Sequence, residues 1–464
     1  MANNKTVYPY IPNSEPNIKT QMLKDVNANS IDELYSDIPA QLRFKGQMNL
    51  PVPFVSEYGL RRHIEKILGK NKSTKQFLNF LGAGCYQHYV PAVCDEINSR
   101  GEFLTAYAGE PYDDHGRFQS LFEYTSMMAE LLEMDVVSVP TYDGFQAAAT
   151  ALRMACRITG RNKVMLPETI GRDLLSKIRD YLKFDVEIII LKHNTVTGGI
   201  DIKNLEELIN NDIATVFFEN PSYLGFFEIN GEKIADIAHQ NGAICIVSVD
   251  PISLGVITPP SHYGADIVVG DIQPLGMHML FGGGQAGFIA SRDEEKYVMQ
   301  YPSRLFGIVP TRVKGEYGFG DVAYDRTSFA KREEGNEWVG TAAALWGITA
   351  GVYLALMGPQ GMREIGEGIL YRSQYAEQEI GKLGNLRTGR FTAPYFKEFV
   401  VSFEKTGKHV AEINQALLGK GIFGGKDLSR EFPWLGESAL YCFTEVHTKE
   451  DIDLLVSALR EVLA

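Results

Sequence analysis

The chain has 464 residues, of which 45% are hydrophobic and 22% charged, with a formal net charge of -13 at pH 7. This composition is typical of a soluble globular protein with a sizeable core, and the acidic balance argues against binding to nucleic acid or an anionic membrane. The sequence has no signal-like apolar leader and no run of about 18 apolar residues that would span a membrane. Its five cysteines are scattered, so we expect a cytoplasmic protein with neither disulfides nor a metal site.

The first part of the chain is polar, with helical stretches interrupted by proline. Ser30 followed by the acidic residues 32–33 is typical of a helix start. The segment has too few apolar residues to form a core of its own. We therefore predict a helical N-terminal arm, residues 1–75, that wraps another body.

From about residue 117 the chain alternates helical stretches with short runs typical of β-strands. Strands are predicted at 163–167, 186–191, 214–220, 243–249 and 288–290, and helices at 117–132, 147–157 and 232–239. This alternation predicts an α/β domain, residues 76–340, with a mostly parallel sheet. Residues 310–340 are charged and glycine-rich, which indicates a surface excursion. Ligands on such sheets bind at the carboxyl ends of the strands, where Asn220 and Asp250 fall.

The pattern changes after residue 340. A long apolar helix is predicted at 341–357, followed by strands at 398–403 and 439–444. Thr448 and Asp451 have the spacing of a capping box at the start of a final helix. Residues 341–464 are therefore predicted to form a linking helix and a small C-terminal α+β domain.

The glycine-rich segment 282–287 matches the spacing of a dinucleotide-binding motif, but its context differs. That motif needs a strand before it and a helix after it, whereas here a strand follows. A tight turn that returns into the sheet is the better interpretation.

Residues 247–274 resemble the cofactor segment of aminotransferase-like enzymes, which bind pyridoxal phosphate (PLP). In that superfamily an aspartate at a strand end pairs with the pyridine nitrogen, and a His-Lys pair about one strand later provides the Schiff-base lysine. Asp250 fits the first position, but Gln273 and Pro274 stand where His-Lys would be. Because proline has no amine, we predict a degenerate site with no catalytic residue in this chain.

Tyr142, Asp143 and Gly144 precede the helix predicted at 147–157. Backbone N–H groups at a helix N-terminus favour an anion, and PLP-fold proteins bind the cofactor phosphate at the matching place. These three residues, with Asp250 and Gln273, are thus candidates for a degenerate cofactor site. An ordinary helix cap is the simpler interpretation of Asp143 and Gly144.

Motifs along nearly the whole chain resemble the P-protein family of the glycine cleavage system, glycine dehydrogenase (decarboxylating), in the form of subunit 1 of its two-subunit members. The matching segments are 10–12, 30–39, 80–84, 88–91, 102–107, 250–255, 264–270, 273–276 and 421–428. Each motif is weak alone, and the ordered set is specific.

The resemblance implies a PLP-dependent transferase-like large domain of fold type I. It also implies a second subunit that carries PLP on its lysine, decarboxylates glycine and passes the aminomethyl group to the lipoyl H-protein. The two subunits would form an α2β2 heterotetramer, and this chain alone would be inactive. Side chains expected to face the partner's active site are Tyr107, Tyr112, His115 and Trp338.

Several loops depart from the family pattern, at 108–112, 140–143 and 335–341. Because these loops would face the partner's active site, two alternatives stay open. The chain could be a paralogous subunit of a PLP enzyme that acts on another amino acid. It could instead be a non-catalytic, homodimeric pseudoenzyme.

Overall fold

The computed structural model describes residues 7–104, 115–340 and 342–464. These residues fall into two units, Met1–Asn71 and Lys72–Ala464. Each unit is described by itself.

The first unit is helical, as the sequence predicts. Its α-helices are α1, Pro16–Asp25, and α2, Glu57–Leu68, and short 3-10 helices lie at Pro12–Ser14 and Ile31–Tyr35. Each of these α-helices has a side-chain cap at its N-terminus. The Glu15 carboxylate accepts a hydrogen bond from the Ile18 N–H, and the Ser56 hydroxyl accepts one from the Gly59 N–H. No residue between 7 and 71 is buried. The packing of this arm on another body remains a prediction.

A seven-stranded sheet forms the centre of the second unit. Its strands are β1 Val136–Val137, β2 Lys163–Pro167, β3 Glu187–Leu191, β4 Ile213–Glu219, β5 Ile244–Val249, β6 Ile267–Asp271 and β7 Gly287–Ser291. The spatial order is β1-β7-β6-β5-β4-β2-β3. Strands β2 to β6 pair in parallel, and β7 pairs antiparallel with both β6 and β1. The prediction of a mostly parallel sheet is confirmed.

Helices cover both faces of this sheet, because both faces of its strands are apolar. In β4, Phe217 packs in one cluster with the helices Gly144–Thr159 and Arg172–Leu182. Val216 and Phe218 pack in the other cluster with the helices His115–Leu132, Gly231–Gln240 and Ala344–Gly381. The α-helices of this unit are α3 Ala92–Asn98, α4 His115–Leu132, α5 Gly144–Thr159, α6 Arg172–Leu182, α7 Ile202–Leu208, α8 Gly231–Gln240, α9 Glu295–Val298, α10 Ser328–Lys331, α11 Ala344–Gly381, α12 Val410–Gly419 and α13 Lys449–Leu463.

The segment that the sequence suggests is a surface excursion contains more regular structure than expected. Strands β8, Leu305–Pro310, and β9, Tyr317–Val322, form an antiparallel hairpin. Arg326 is buried and donates to the carbonyls of Tyr301 and Ser303 at 2.9 and 2.6 Å. These hydrogen bonds join the chain just after the hairpin to the chain just before it. The hairpin was missed because glycine and charged residues weaken the alternation that marks a strand.

The long helix α11 continues well past its predicted end at residue 357. Gly358 has non-helical backbone angles and Pro359 follows it, so the first helical segment does end there. The chain then resumes a helix to Gly381. Sequence analysis identified the break and missed the second segment.

The C-terminal region contains a three-stranded antiparallel sheet of β10 Glu398–Ser402, β11 Lys426–Asp427 and β12 Ser438–Cys442, in the order β10-β12-β11. Two further short strands, Leu78–Asn79 and Ile422–Phe423, pair in parallel. The predicted capping box of α13 is confirmed: Thr448 Oγ1 accepts from the Asp451 N–H at 3.2 Å, and the Asp451 carboxylate accepts from the Thr448 N–H at 2.8 Å. None of the described helices combines the length and the apolar character needed to cross a membrane.

Candidate functional site

A cleft lies at the carboxyl edge of the main sheet. Parallel strands end at the same edge, so Glu219 at the end of β4, Asp250 after β5 and Asp271 at the end of β6 come together there. The cleft measures about 920 Å³ including its open mouth, and Tyr86, Pro274 and Glu398 also line it. The cleft therefore combines the ends of neighbouring strands with residues from the N-terminal and C-terminal parts of the unit.

Asp250 already has a cationic partner in this cleft. Its carboxylate forms an ion pair with the ammonium of Lys397, and the two side chains are 9% and 2% exposed. Asp250 Oδ2 receives no hydrogen bond of regular geometry, so the contact is principally charge against charge. Lys397 immediately precedes β10, so the C-terminal sheet supplies the cation.

The Lys397 ammonium is enclosed on its other sides. It lies 3.2 Å from the centroid of the Tyr86 ring and 3.3 Å from Nε2 of His88. His88 Nδ1 lies 2.8 Å from a carboxylate oxygen of Glu445. If Nδ1–H donates to Glu445, Nε2 is free to accept from the ammonium, which satisfies both ring nitrogens. Lys397 is thus held by a carboxylate, an aromatic face and an imidazole.

Asp271 occupies the N-terminus of α5. Its Oδ2 accepts from the Gly144 N–H at 2.9 Å, and its Oδ1 accepts from the N–H groups of Gln273 and Ala286 at 2.8 and 3.3 Å. Burial raises the pKa of Asp271 to about 7, although these hydrogen bonds act in the opposite direction. An internal carboxyl group therefore lies where an external anion would meet the helix.

The structure places Tyr142, Asp143 and Gly144 at the start of α5. Asp143 is its N-cap, since Oδ1 accepts from the Gln146 N–H at 2.7 Å. Tyr142 is 53% exposed, and its backbone N–H donates to the Gln146 side chain. The helix-cap interpretation of Asp143 is therefore confirmed. A role for these residues toward a ligand stays a prediction.

Gln273 holds a loop rather than facing the cleft with free polar atoms. The residue is completely buried; Oε1 accepts from the Tyr86 N–H at 3.0 Å, and Nε2 donates to the Tyr86 and Met277 carbonyls at 2.9 and 3.1 Å. All of its amide groups are thus used by backbone partners. Pro274, the next residue, lines the cleft, and no lysine is among the lining residues within the described segments.

Glu398 connects the N-terminal loop of this unit to the C-terminal sheet. Its Oε1 accepts from the Ala83 N–H at 2.6 Å, and its Oε2 accepts from the Tyr86 hydroxyl at 2.9 Å. Burial raises the pKa of Glu398 to about 7 and that of Glu219 to about 8. Sequence reasoning missed Lys397, Glu398, Glu219 and Tyr86. The nearest signal was a Lys-Glu pair at the start of a buried strand, which alone does not indicate its partners.

Of the four residues predicted to face a partner, two lie within the described segments. Tyr107 and Tyr112 lie outside the described residues, and His115 is the first residue of α4. Trp338 is half-buried, with its ring edge-on to Phe329 at 5.6 Å, and it does not line the cleft. These four assignments stay predictions.

Cys85 lies in the loop between two residues that line the cleft, Gly84 and Tyr86. Burial raises the pKa of Cys85, whereas a reactive cysteine needs the pKa lowered. Within residues 7–104, 115–340 and 342–464, no cluster of His, Cys, Asp or Glu could hold a metal ion.

Comparisons with known proteins place the chain beside one family over nearly its full length. Residues 9–459 match the family described as glycine cleavage system P-protein. The chain is 40% identical to the probable glycine dehydrogenase (decarboxylating) subunit 1 of Staphylothermus marinus, over 98% of each chain. It is 39% identical to the protein of the same name from Pyrococcus abyssi, over 98% of this chain and 99% of that protein.

Solved structures give the same result for the fold. A crystal structure of glycine decarboxylase (P-protein) of the glycine cleavage system, in inhibitor-bound form, superposes with a TM-score of 0.84 at 30% identity, covering 98% of this chain and 100% of that one. A sphingosine-1-phosphate lyase of Burkholderia pseudomallei superposes with a TM-score of 0.65 at 13% identity, covering 92% and 94%, which shows a shared fold alone. The prediction of a PLP-dependent transferase-like, fold type I architecture is confirmed.

Proposed function

The chain belongs to the glycine cleavage system P-protein family, and from that membership we propose that it is the subunit of glycine dehydrogenase (decarboxylating) that does not carry the cofactor. Alone it would be inactive. The alternatives of a paralogue for another amino acid and of a stand-alone pseudoenzyme are not favoured by relatives that are named subunit 1 of this enzyme.

The observation that carries this proposal is the missing amine at position 274 of this chain, and two contacts in the cleft support it. Pro274 has no amine at the position of the Schiff-base lysine, and Asp250 is paired with Lys397 rather than open to a pyridine nitrogen. Asp271 occupies the helix N-terminus that a phosphate would use. We therefore assign no chemical step to this cleft and expect PLP on the partner subunit.

The exposed apolar residues of the first unit support a tight partnership. Tyr10, Val52 and Val55 are 97%, 87% and 100% exposed, and residues 7–71 contribute nothing to a core. Monomers rarely leave so much apolar surface in water, so this unit fits a segment that is covered in an assembly. We propose that the lysine-bearing subunit covers it, in an α2β2 heterotetramer located in the cytoplasm.

The complete complex would act on glycine and transfer the aminomethyl group to the lipoyl H-protein. In this arrangement the present chain pairs with the lysine-bearing subunit, and its loops form part of the wall of the partner's active site. Tyr107, Tyr112, His115 and Trp338 remain the candidates for that contact.

Purification of this chain alone, of the partner alone and of the two together tests the proposal. We expect the PLP absorbance band only where the partner is present, and release of CO2 from glycine only from the complex. After borohydride reduction, peptide mass mapping should find the cofactor on a partner lysine.

A reduced cofactor on any lysine of this chain would contradict the assignment. Activity of the partner alone at the level of the complex would contradict the need for this subunit. Pro274→Ala serves as a matched control, because it also lacks an amine and should leave the colour of the complex unchanged.

A further inference from the structure

Two carboxyl groups that line the cleft, Asp250 and Asp271, already have partners within this chain at the places where the charged ends of PLP would bind. The Lys397 ammonium lies on Asp250, where the pyridinium would be, and the Asp271 carboxyl group lies on the N-terminus of α5, where the phosphate would be. We propose that Lys397 and Asp271 are specificity-determining residues that exclude PLP from this chain independently of the missing lysine. The inference rests on the proposed function only in taking PLP as the ligand that this fold otherwise binds.

The exclusion at the pyridine end is a matter of charge. A ligand could use Asp250 only if the Lys397 ammonium moved away from it. Lys397 is 2% exposed and lies between Asp250, the Tyr86 ring and His88, so its ammonium is shielded from bulk solvent. Displacement would leave a buried cation without a counter-ion, which is strongly unfavourable. The ion pair therefore competes directly with any cationic ring.

The exclusion at the phosphate end combines space and charge. A Cβ atom added to Gly144 would lie 3.0 Å from the Asp271 Cβ and 3.3 Å from its backbone N, so Asp271 fills the approach to the helix N-terminus. The Gly144 N–H that would bind a phosphate oxygen already donates to Asp271 at 2.9 Å. A phosphate dianion would have to displace this side chain and would repel its ionised form.

The two features are built on different parts of the chain. Asp271 ends β6 of the main sheet, whereas Lys397 precedes β10 of the C-terminal sheet. The Asp250–Lys397 pair therefore also ties the C-terminal sheet to the edge of the main sheet without any ligand. Restoring an amine at position 274 would alter neither feature.

Pyridoxamine 5′-phosphate is the suitable probe, because its amine cannot form an imine with surface lysines. We expect no saturable binding to the full chain up to about 1 mM, and none to Pro274→Lys. The double variant Lys397→Met, Asp271→Ser should bind at least about tenfold more tightly than the wild type, and Asp250→Asn added to it should remove most of the gain.

Two results would overturn the inference. One is saturable binding to the wild-type chain that Asp250→Asn abolishes. The other is a double variant that folds, as judged by circular dichroism, and gains no affinity. If the double variant does not fold, Asp271→Ser alone is titrated, and the same gain is required of it with inorganic phosphate as the probe.

A thermal double-mutant cycle tests the ion pair without any ligand. Lys397→Met and Asp250→Asn should each lower the melting temperature by about 5–10 °C, because each leaves one buried charge alone. The double variant should recover at least about half of that loss. Additive losses would show that the two groups are not coupled and would refute the proposal.

Lys426→Met is the matched control. Lys426 pairs with Glu431 at 2.6 Å, but these side chains are 29% and 22% exposed, so water can replace the partner. Its loss should shift the melting temperature by less than about 3 °C. Saturable binding of the probe to the wild-type chain that Asp250→Asn abolishes would refute this inference. It would leave the proposed function intact, provided that the reduced cofactor stays on the partner. An inactive complex would refute the proposed function and leave the thermal cycle intact.

Discussion

The interior of the main sheet and the cleft at its carboxyl edge are formed by the same strands under opposite chemical conditions. Along β4, Val216 and Phe217 are completely buried among apolar side chains, while Glu219 at the end of the strand faces the cleft. The interior is stabilised mainly by the burial of apolar side chains. The cleft is stable because its buried ion pair is closed within the chain and its carboxyl groups are hydrogen-bonded or favoured in the neutral form.

This difference shows how a polar cleft can be stable without a ligand. A cofactor-binding cleft normally leaves charges that the cofactor neutralises. Here Lys397 neutralises Asp250, and backbone N–H groups hold Asp271. The cleft can therefore remain folded while empty, and substitutions in the two regions should have separable effects.

The largest effect is expected from the interior. Phe217→Ala removes a completely buried ring from the cluster with α5 and α6 and should lower the free energy of unfolding by about 3–5 kcal/mol. Denaturant titration followed by circular dichroism measures the loss. Phe184→Ala is the control, because Phe184 is 86% exposed and its truncation should change stability by less than about 0.5 kcal/mol. Equal effects of the two would refute the location of the core.

The cleft should make the stability depend on pH. The pKa of Glu219 is raised from 4.5 to about 8, that of Glu398 from 4.5 to about 7 and that of Asp271 from 3.8 to about 7. In each case the folded state binds the proton more tightly than the unfolded state. The stabilisation is therefore fully present below the unfolded pKa and is lost as the pH rises through about 7–8.

We expect the melting temperature to fall between about pH 5 and pH 8, that is, between the unfolded and folded pKa values of these groups. Glu219→Gln should reduce that fall, since it removes a change of roughly 2 kcal/mol after allowance for the water that still reaches this side chain. Glu206→Gln, at a 52% exposed position on α7, should leave the slope unchanged. A steeper fall in Glu219→Gln than in the wild type would contradict the raised pKa of Glu219 in the folded state.

The boundary between the two regions lies at Gly144. Gly144→Ala places a Cβ 3.0 Å from the Asp271 Cβ, and the resulting shift should cost about 1–2 kcal/mol in a thermal melt. Gly384→Ala is the control, because a Cβ there meets no atom within 4 Å. No loss in Gly144→Ala would mean that Asp271 does not fill this space.

The smallest effect is expected at the cap of α5. Asp143→Ala removes the acceptor for the Gln146 N–H and should cost about 1 kcal/mol, whereas Asp143→Ser should retain most of the stability. Calorimetry of the two variants checks the order. If both variants lost the same amount, a role of Asp143 beyond capping would be indicated.

Sequence analysis succeeded where the cause is local. The five strands predicted in the α/β domain, the two predicted near the C-terminus and the capping box at Thr448 are present. The glycine-rich segment before β7 is a turn that returns into the sheet. The hairpin β8–β9 and the second half of α11 were missed, since their strand and helix signals are interrupted by glycine or proline. Local patterns identify elements and give less information about what continues after a break.

By itself, the sequence determined the alternation of strands and helices, the position of Asp250 at a strand end and the absence of an amine at Pro274, because these depend on residue type and short-range order. Only the tertiary structure decided that Lys397 pairs with Asp250, that Glu398 lines the cleft and that Asp271 caps the start of α5. Those contacts join segments far apart in the chain, and their energy exists only when burial removes water from the charges. The sequence therefore shows that position 274 has no amine, and the fold shows which side chains meet at the carboxyl edge of the sheet.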